Sequence, residues 1–256
     1  MINSVPVMPN LHLVLSQSLV SLLSRKYSGC RLITYPIRRK ASIKDIIESM
    51  GIPHTEIGTI RCGQEEVNFG FIPETSMTIT LFEIPLPFDV TCPTCLRPDP
   101  LKKIRFIADL NVSKLATLLR MSGVDTQISA DLSDNEIASI AHESKRIVLS
   151  KDLGLLKHRK ITFGRYVRAI YPKDQLKEII NFFNLNSHLD PFSRCLRCNT
   201  LLTPVEKKDI LSRLQPKTRL FFNRFKMCTR CNRIYWKGSH HEGMVKKMRQ
   251  YGIAGV

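Results

Sequence analysis

Cys195, Cys198, Cys228 and Cys231 form two Cys-x-x-Cys pairs, in RCLRCNTLL and KMCTRCNRIYWKGSH. Four thiolates saturate a tetrahedral zinc ion and leave no position open for water or substrate, so such a site would be structural. The 29 residues between the pairs exceed the usual span of about 15–20. VEKKDILSRL, expected as one helix ending before Pro216, can fill the excess. Two independent redox turns are the alternative for the quartet. A third pair, Cys92 and Cys95, has no evident partners in the sequence and stays unassigned.

Acidic residues supply a second possible chemistry. Asp109 ends the apolar run IRFIAD, Asp134 opens a helix in LSDNEIASIAHES, and Asp152 follows RIVLS. In open α/β sheets, functional groups gather at the carboxyl ends of strands. Carboxylates meeting there repel one another unless a divalent cation shares them, which is how Mg²⁺ or Mn²⁺ sites for phosphodiester hydrolysis are built. Plainer roles stand beside this one. Asp152 can begin a short helix, Asp134 can complement a helix dipole, and Asn111 is read as a helix cap. Asp125 and Asp131 are weaker candidates, and Asp174 is read as a cap. No acid occurs between Leu153 and Lys173, so a fourth carboxylate is not visible.

The carboxyl-terminal stretch IYWKGSHHEGMVKKMRQYG interleaves Tyr235, Trp236, His240 and His241 with Lys237, Lys246, Lys247 and Arg249. Aromatics among cations suit RNA, whose unpaired bases stack on rings while phosphates meet the charges. Arg233, Trp236, Lys237 and His240 are the candidate RNA contacts here, with Lys114, Arg120 and Lys151 near the acids. Packing of Trp236 beneath the cysteine site is the competing role for that residue.

Elements to position these groups can be read from periodicity. Residues 11–24 predict a strand and short helix. SIKDIIESMGIPHTEIG spaces Ile43, Ile46, Ile47 and Met50 as a helix and stops it with Gly51 and Pro53. GTIRCG, VNFGF and SMTITLFEIP predict strands, so residues 1–90 form a small α+β roll. Prolines crowd residues 91–102, which predicts a linker. From residue 103 to 190, strands IRFIAD, GVDTQIS, RIVLS and YVRAIY alternate with helices NVSKLATLLRM, LSDNEIASIAHES, DLGLLKHR and KDQLKEIINFF. That order argues for a parallel sheet. Ser133 and Glu136 form a capping box. Residues 191–256 hold the quartet and the basic tail, and no internal repeat is evident.

The formal charge of +17 is unevenly spread. Residues 1–100 are neutral, residues 101–190 carry +5, and residues 191–256 carry fifteen Lys/Arg against three Asp/Glu. A gradient toward one end predicts a polyanion partner there. No run of about 18 apolar residues exists, which argues against a membrane span. The start MINSVPVMPN lacks a basic n-region, which argues against a secretory signal. Eight cysteines, six in Cys-x-x-Cys pairs, suit a reducing, cytoplasmic setting better than a disulfide framework.

FIADLNVSKLATLLRMSGVDT, RIVLSKDLGLL, RCLRCNTLLTPV and CTRCNRIYWKGSHHEGM, in this order, resemble the Mut7-C RNase domain family. SIKDIIESMGIPHTEIGTI, VNFGF and ITLFEIP resemble the ubiquitin-like domain that precedes it in prokaryotic members. The resemblance implies a PIN-like α/β domain with a zinc ribbon, preceded by a ubiquitin-like β-grasp domain, and metal-dependent endoribonuclease activity. It carries Asp109 and Asp152 over as acids that bind Mg²⁺ or Mn²⁺, Asp134 as the helix-borne acid, and the four cysteines as zinc ligands. Ser113 stands where members commonly have glycine. The roll runs on through LFEIPLPFDVT and the chain ends GIAGV, so a sulfur-carrier role through a free Gly-Gly is not expected. The neutral first domain is expected to bind a protein or the nuclease domain. RNA, transfer or ribosomal, is the expected partner of the rest. The competing function is a non-catalytic RNA- or ribosome-binding protein; a nuclease acting on DNA is a third.

Overall fold

In the strand Asn10–Leu15 (β1), every second residue points inward: Leu11, Leu13 and Leu15 are fully buried. Period-2 burial of this kind marks a strand with one face on a core. The computed structural model describes residues 10–253. Its two units are residues up to 104 with 131–166, and residues 105–130 with 167 onward.

In the first unit, β1 leads through a short helix Gln17–Val20 (α1) to Leu32–Pro36 (β2), its antiparallel partner. Helix α2 (Ile43–Ser49) buries Ile43, Ile46 and Ile47, and the Ser42 hydroxyl accepts from the Asp45 amide at 3.1 Å. Gly51 then turns at φ 115°, where an added Cβ would sit 2.6 Å from the Ser24 amide nitrogen. Strands Ile57–Cys62 (β3), Glu65–Glu66 (β4) and Thr78–Glu83 (β5) complete a five-stranded sheet in the order β2-β1-β5-β3-β4. The β1–β5 pair is parallel and the flanking pairs are antiparallel. Together they form the expected α+β roll. VNFGF differs from expectation: it is a turn in which the Asn68 side chain accepts from the Gly70 amide. The Val67 amide still donates to the Ile60 carbonyl at 3.0 Å, but the Phe69 and Phe71 carbonyls accept from the Lys44 and Ile43 amides, so the rest of the segment caps helix α2.

In the second unit, Phe106–Ala108 (β6) and Thr126–Ile128 (β7) pair in parallel, joined through Ser113–Met121 (α3). In the first unit, Asp134–Glu143 (α4) precedes Ile147–Ser150 (β8). Leu153–Leu156 (α5) then leads to Gly164–Tyr166 (β9), parallel to β8. The Ser133–Glu136 capping box is present. Strand β9 lies earlier than the expected YVRAIY. The Glu178 carboxylate, on Pro172–Phe182 (α6), accepts from the Arg168 and Ala169 amides, which removes them from any ladder. Helix α6 packs on α3, and Phe106 meets Phe183 edge-on with ring centres 5.2 Å apart.

The carboxyl-terminal part of the second unit is a three-stranded antiparallel sheet of Leu202–Val205 (β10), Phe225–Cys228 (β11) and Ile234–Tyr235 (β12). VEKKDILSRL is not one helix. Val205 joins β10, Lys207–Ile210 (α7) is a single turn followed by a 3₁₀ turn, and Pro216 opens another helix, Pro216–Phe221 (α8). Proline at the first helical position costs no hydrogen bond, which is why it starts a helix here instead of ending one. The tail beyond Gly238 is helical over Ser239–Gln250 (α9), with Met248 fully buried. No helix among the described residues is long and apolar enough to cross a membrane.

Candidate metal centre and strand-end acids

Both halves of the cysteine quartet are the same turn. Cys-x-Arg-Cys-Asn occurs at Cys195–Asn199 and again at Cys228–Asn232, a repeat too short to register as a domain repeat but legible in the sequence. Each asparagine is left-handed, at φ 65° and 56°, a conformation asparagine tolerates. Its amide donates to the carbonyl of the first cysteine, at 2.9 and 2.8 Å. The four sulfurs lie within 4.8 Å of one another, with Cys195 and Cys231 3.6 Å apart. A tetrahedral zinc with bonds of roughly 2.3 Å separates its sulfurs by about 3.8 Å, so this set can hold such an ion.

Electrostatics agree with that fit. Burial pushes the Cys195 thiol up, but the Tyr235 hydroxyl at 3.1 Å and the Cys198 and Arg197 amides bring it down to about 6. Burial and the Cys231 and Cys195 sulfurs push Cys198 up to about 12. A cation shared by four thiolates removes the conflict.

A polar scaffold in the same unit holds the first turn. Arg120, expected to contact RNA, is only 4 % exposed. Its guanidinium donates to the Thr126, Leu196 and Arg197 carbonyls at 2.7, 2.9 and 2.9 Å, so it braces the cysteine turn instead of facing solvent. Asp125, a weaker candidate for cation binding, accepts from the Asn199 side chain at 2.8 Å and lies 3.9 Å from Arg194. The Asn199 carbonyl oxygen on the side chain accepts from the Thr126 amide. These roles depend on contacts more than 70 positions apart in sequence for Asp125 and Asn199, and no local signal announces them.

The three acids are helix-start residues. Asp109 follows β6, is half-buried, and accepts from the Leu110 amide at 2.6 Å and the Asn111 side chain at 2.5 Å. Asn111 thus orients the carboxylate. Asp152 follows β8, is exposed, and accepts from the Gly154 and Leu155 amides at 2.6 and 3.4 Å. Asp134 is exposed in the first turn of α4, where Ser133 is the cap. Asp174 stands in the first turn of α6, whose N-cap residue is Tyr171. Asp134 and Asp152 belong to the first unit and Asp109 to the second.

Among the other candidate RNA contacts, Lys114, Arg233, Lys237 and His240 are exposed and Lys151 is half-buried. Trp236 is 38 % exposed; its ring centre lies 6.4 Å from that of Phe225, so packing and exposure share this side chain.

Residues 104–248 match the family model of the Mut7-C RNAse domain, and residues 8–82 that of the Mut7-C ubiquitin domain. The chain belongs to the Mut7-C RNAse domain family. A human protein, Exonuclease mut-7 homolog, is 30 % identical to this Mut7-C chain over 106 residues, 39 % of the chain and 12 % of that protein. The chain therefore matches only a small part of that relative. No solved structure matches. The family model that covers more than half of the chain is described as an RNAse domain.

Proposed function

We propose that the chain is a metal-dependent endoribonuclease with a PIN-like catalytic domain. Asp109 and Asp152, with Asp134, hold Mg²⁺ or Mn²⁺, and the cysteine quartet holds a structural zinc. The observation that carries this reading is the Mut7-C RNAse match over a segment in which Asp109 and Asp152 each follow a buried strand of a parallel pair. That is the position at which α/β sheets present functional groups. A divalent ion supplies charge neutralisation at the scissile phosphate and acidifies water. The chain's own part is to hold carboxylates in place, Asp109 through Asn111, and to draw the RNA backbone in with the basic ribbon.

The Mut7-C ubiquitin domain takes the RNAse domain of its own chain as partner. The support is a polar set inside the first unit. His54 lies 2.6 Å from the Ile161 carbonyl, the Glu56 carboxylate accepts from the Tyr166 amide at 2.8 Å, and Arg165 pairs with Glu56 at 3.0 Å. Six of the eight cysteines fall in Cys-x-x-Cys pairs, a usage that suits a reducing, cytoplasmic setting.

The helix-start hydrogen bonds of Asp109 and Asp152 favour one other reading, in which these acids are caps only and the protein binds RNA without cutting it. Mn²⁺-dependent cleavage of total RNA separates the two. Wild type cuts and Asp109→Asn loses at least about a hundredfold in rate, with RNA affinity retained because one repulsive charge is gone. Equal activity in the variant rejects the site. A circular RNA, which has no ends, is cut by an endonuclease and spared by an exonuclease.

A further inference from the structure

The segment from Ile210 to His241 carries eight Lys/Arg and no acidic residue. It contains α8 and the two strands that follow, with a small core of Ile210, Leu214 and Phe225. Two large apolar side chains take no part in that core. Leu220 and Phe221, in the last turn of α8, are 74 % and 69 % exposed, while the next residue, Phe222, turns inward to pack on the core. Lys217 lies one turn before them on α8, and Arg224 and Lys226 follow; all three are exposed. None of these three has an ion pair with a carboxylate among the described residues, and none lies near an acid in sequence. Arg219 differs: it donates to the Leu214 carbonyl at 2.8 Å and stiffens the start of the helix.

We infer that Leu220 and Phe221 form a base-stacking tip for single-stranded RNA, with Lys217, Arg224 and Lys226 meeting the flanking phosphates. This rests on the proposal that RNA is the substrate and adds that the bound stretch is unpaired. The physical reason is the combination. An exposed ring costs solvation energy unless something covers it, and a base offers a flat apolar face attached to a phosphate. A duplex hides its bases in the stack and offers only phosphates, so it would use the cations and leave the tip uncovered. An apolar protein groove would cover the tip equally well but would bring three unpaired cations against it with no charge to meet them. Trp236, partly exposed just after β12 with its ring centre 6.4 Å from that of Phe225, is a second ring next to that sheet.

The test is direct binding by the full zinc-loaded chain, without Mg²⁺ or Mn²⁺. The probes are a labelled uridine oligonucleotide of about 12 nucleotides, within the site size of small single-strand binders, and a blunt RNA duplex of the same length. Leu220→Ala with Phe221→Ala is expected to weaken single-strand binding by about tenfold or more, leave duplex binding within about twofold, and leave its salt dependence unchanged. Phe221→Trp in place of alanine restores the affinity. Unchanged single-strand affinity, or an equal loss on both RNAs, overturns the inference; the former is the result expected if the tip docks a protein. Photocrosslinking wild type to a 4-thiouridine oligonucleotide gives an answer that no variant's folding can blur: the crosslinked peptide must contain Phe221. Because no cleavage enters these measurements, a chain that binds as described but never cuts RNA removes the nuclease proposal alone.

Discussion

Arg97 and Arg120 are both nearly buried and both act as struts for loop carbonyls. Arg97 donates to the Ile57, His54 and Thr55 carbonyls at 2.9, 3.3 and 3.1 Å and to the Thr162 carbonyl at 3.3 Å. Burial pulls its guanidinium down to about 10, with Glu56 opposing, so it stays charged at neutral pH. The Phe88 and Phe163 rings flank it, 5.5 and 5.9 Å from their centres. Replacing Arg97 with methionine keeps much of the volume but leaves several buried carbonyls without a donor. The expected cost is about 3 kcal/mol or more in urea unfolding. Lysine should recover little, because one ammonium cannot reproduce the planar fork. Nothing in the residue type separates these two arginines from surface ones. Only the carbonyls that fold around them do.

At the scale of elements, the start of α4 shows how a local signal survives folding. The Ser133 hydroxyl and amide hold the Glu136 carboxyl below the ordinary carboxylate range. A carboxyl whose pKa is lower in the folded state stabilises above the unfolded value, and that contribution is lost as pH falls through the folded one. Glu136→Gln should therefore melt earlier than wild type at neutral pH, and the gap should close in acid; a gap that persists there would remove the carboxylate from the box. The ribbon carries a four-cysteine cluster that can hold a metal ion, and the proposed zinc sets its test. Cys228→Ser should release the zinc and with it stabilisation on the order of 10 kcal/mol for the small sheet, visible as loss of the amide resonances of β10–β12. Undiminished zinc content would contradict the assignment. Boundaries were legible where periodicity or capping governed them, as in β1, α2 and α4. They were not legible at VNFGF or YVRAIY, because a distant helix start and the Glu178 carboxylate claim those backbone groups.

At the scale of the whole chain, charge rises from neutral in residues 1–100 to fifteen cations against three acids in residues 191–256. RNA affinity should fall steeply with salt, each phosphate contact adding about 0.7 to the logarithmic slope for a single strand. Replacing Lys237, Lys246 and Lys247 with glutamine should flatten the slope by up to about 2. The same change at the exposed Arg38, Arg39 and Lys40 of the first domain should leave it alone. Equal slopes in both variants would move the RNA surface away from the ribbon.

The amino-acid sequence by itself determined the cysteine quartet, the charge gradient, the alternating strands, the capping box and the family, because each is carried by neighbours along the chain or by composition. Tertiary structure decided which polar groups are structural. Arg120 moved from a candidate RNA contact to a brace and Asp125 from a candidate acid to a partner of Asn199, while Phe221, which no sequence signal singled out, is an exposed ring. A buried polar group must find its partner, and that partner is set by which distant segments pack together rather than by the residue's own type.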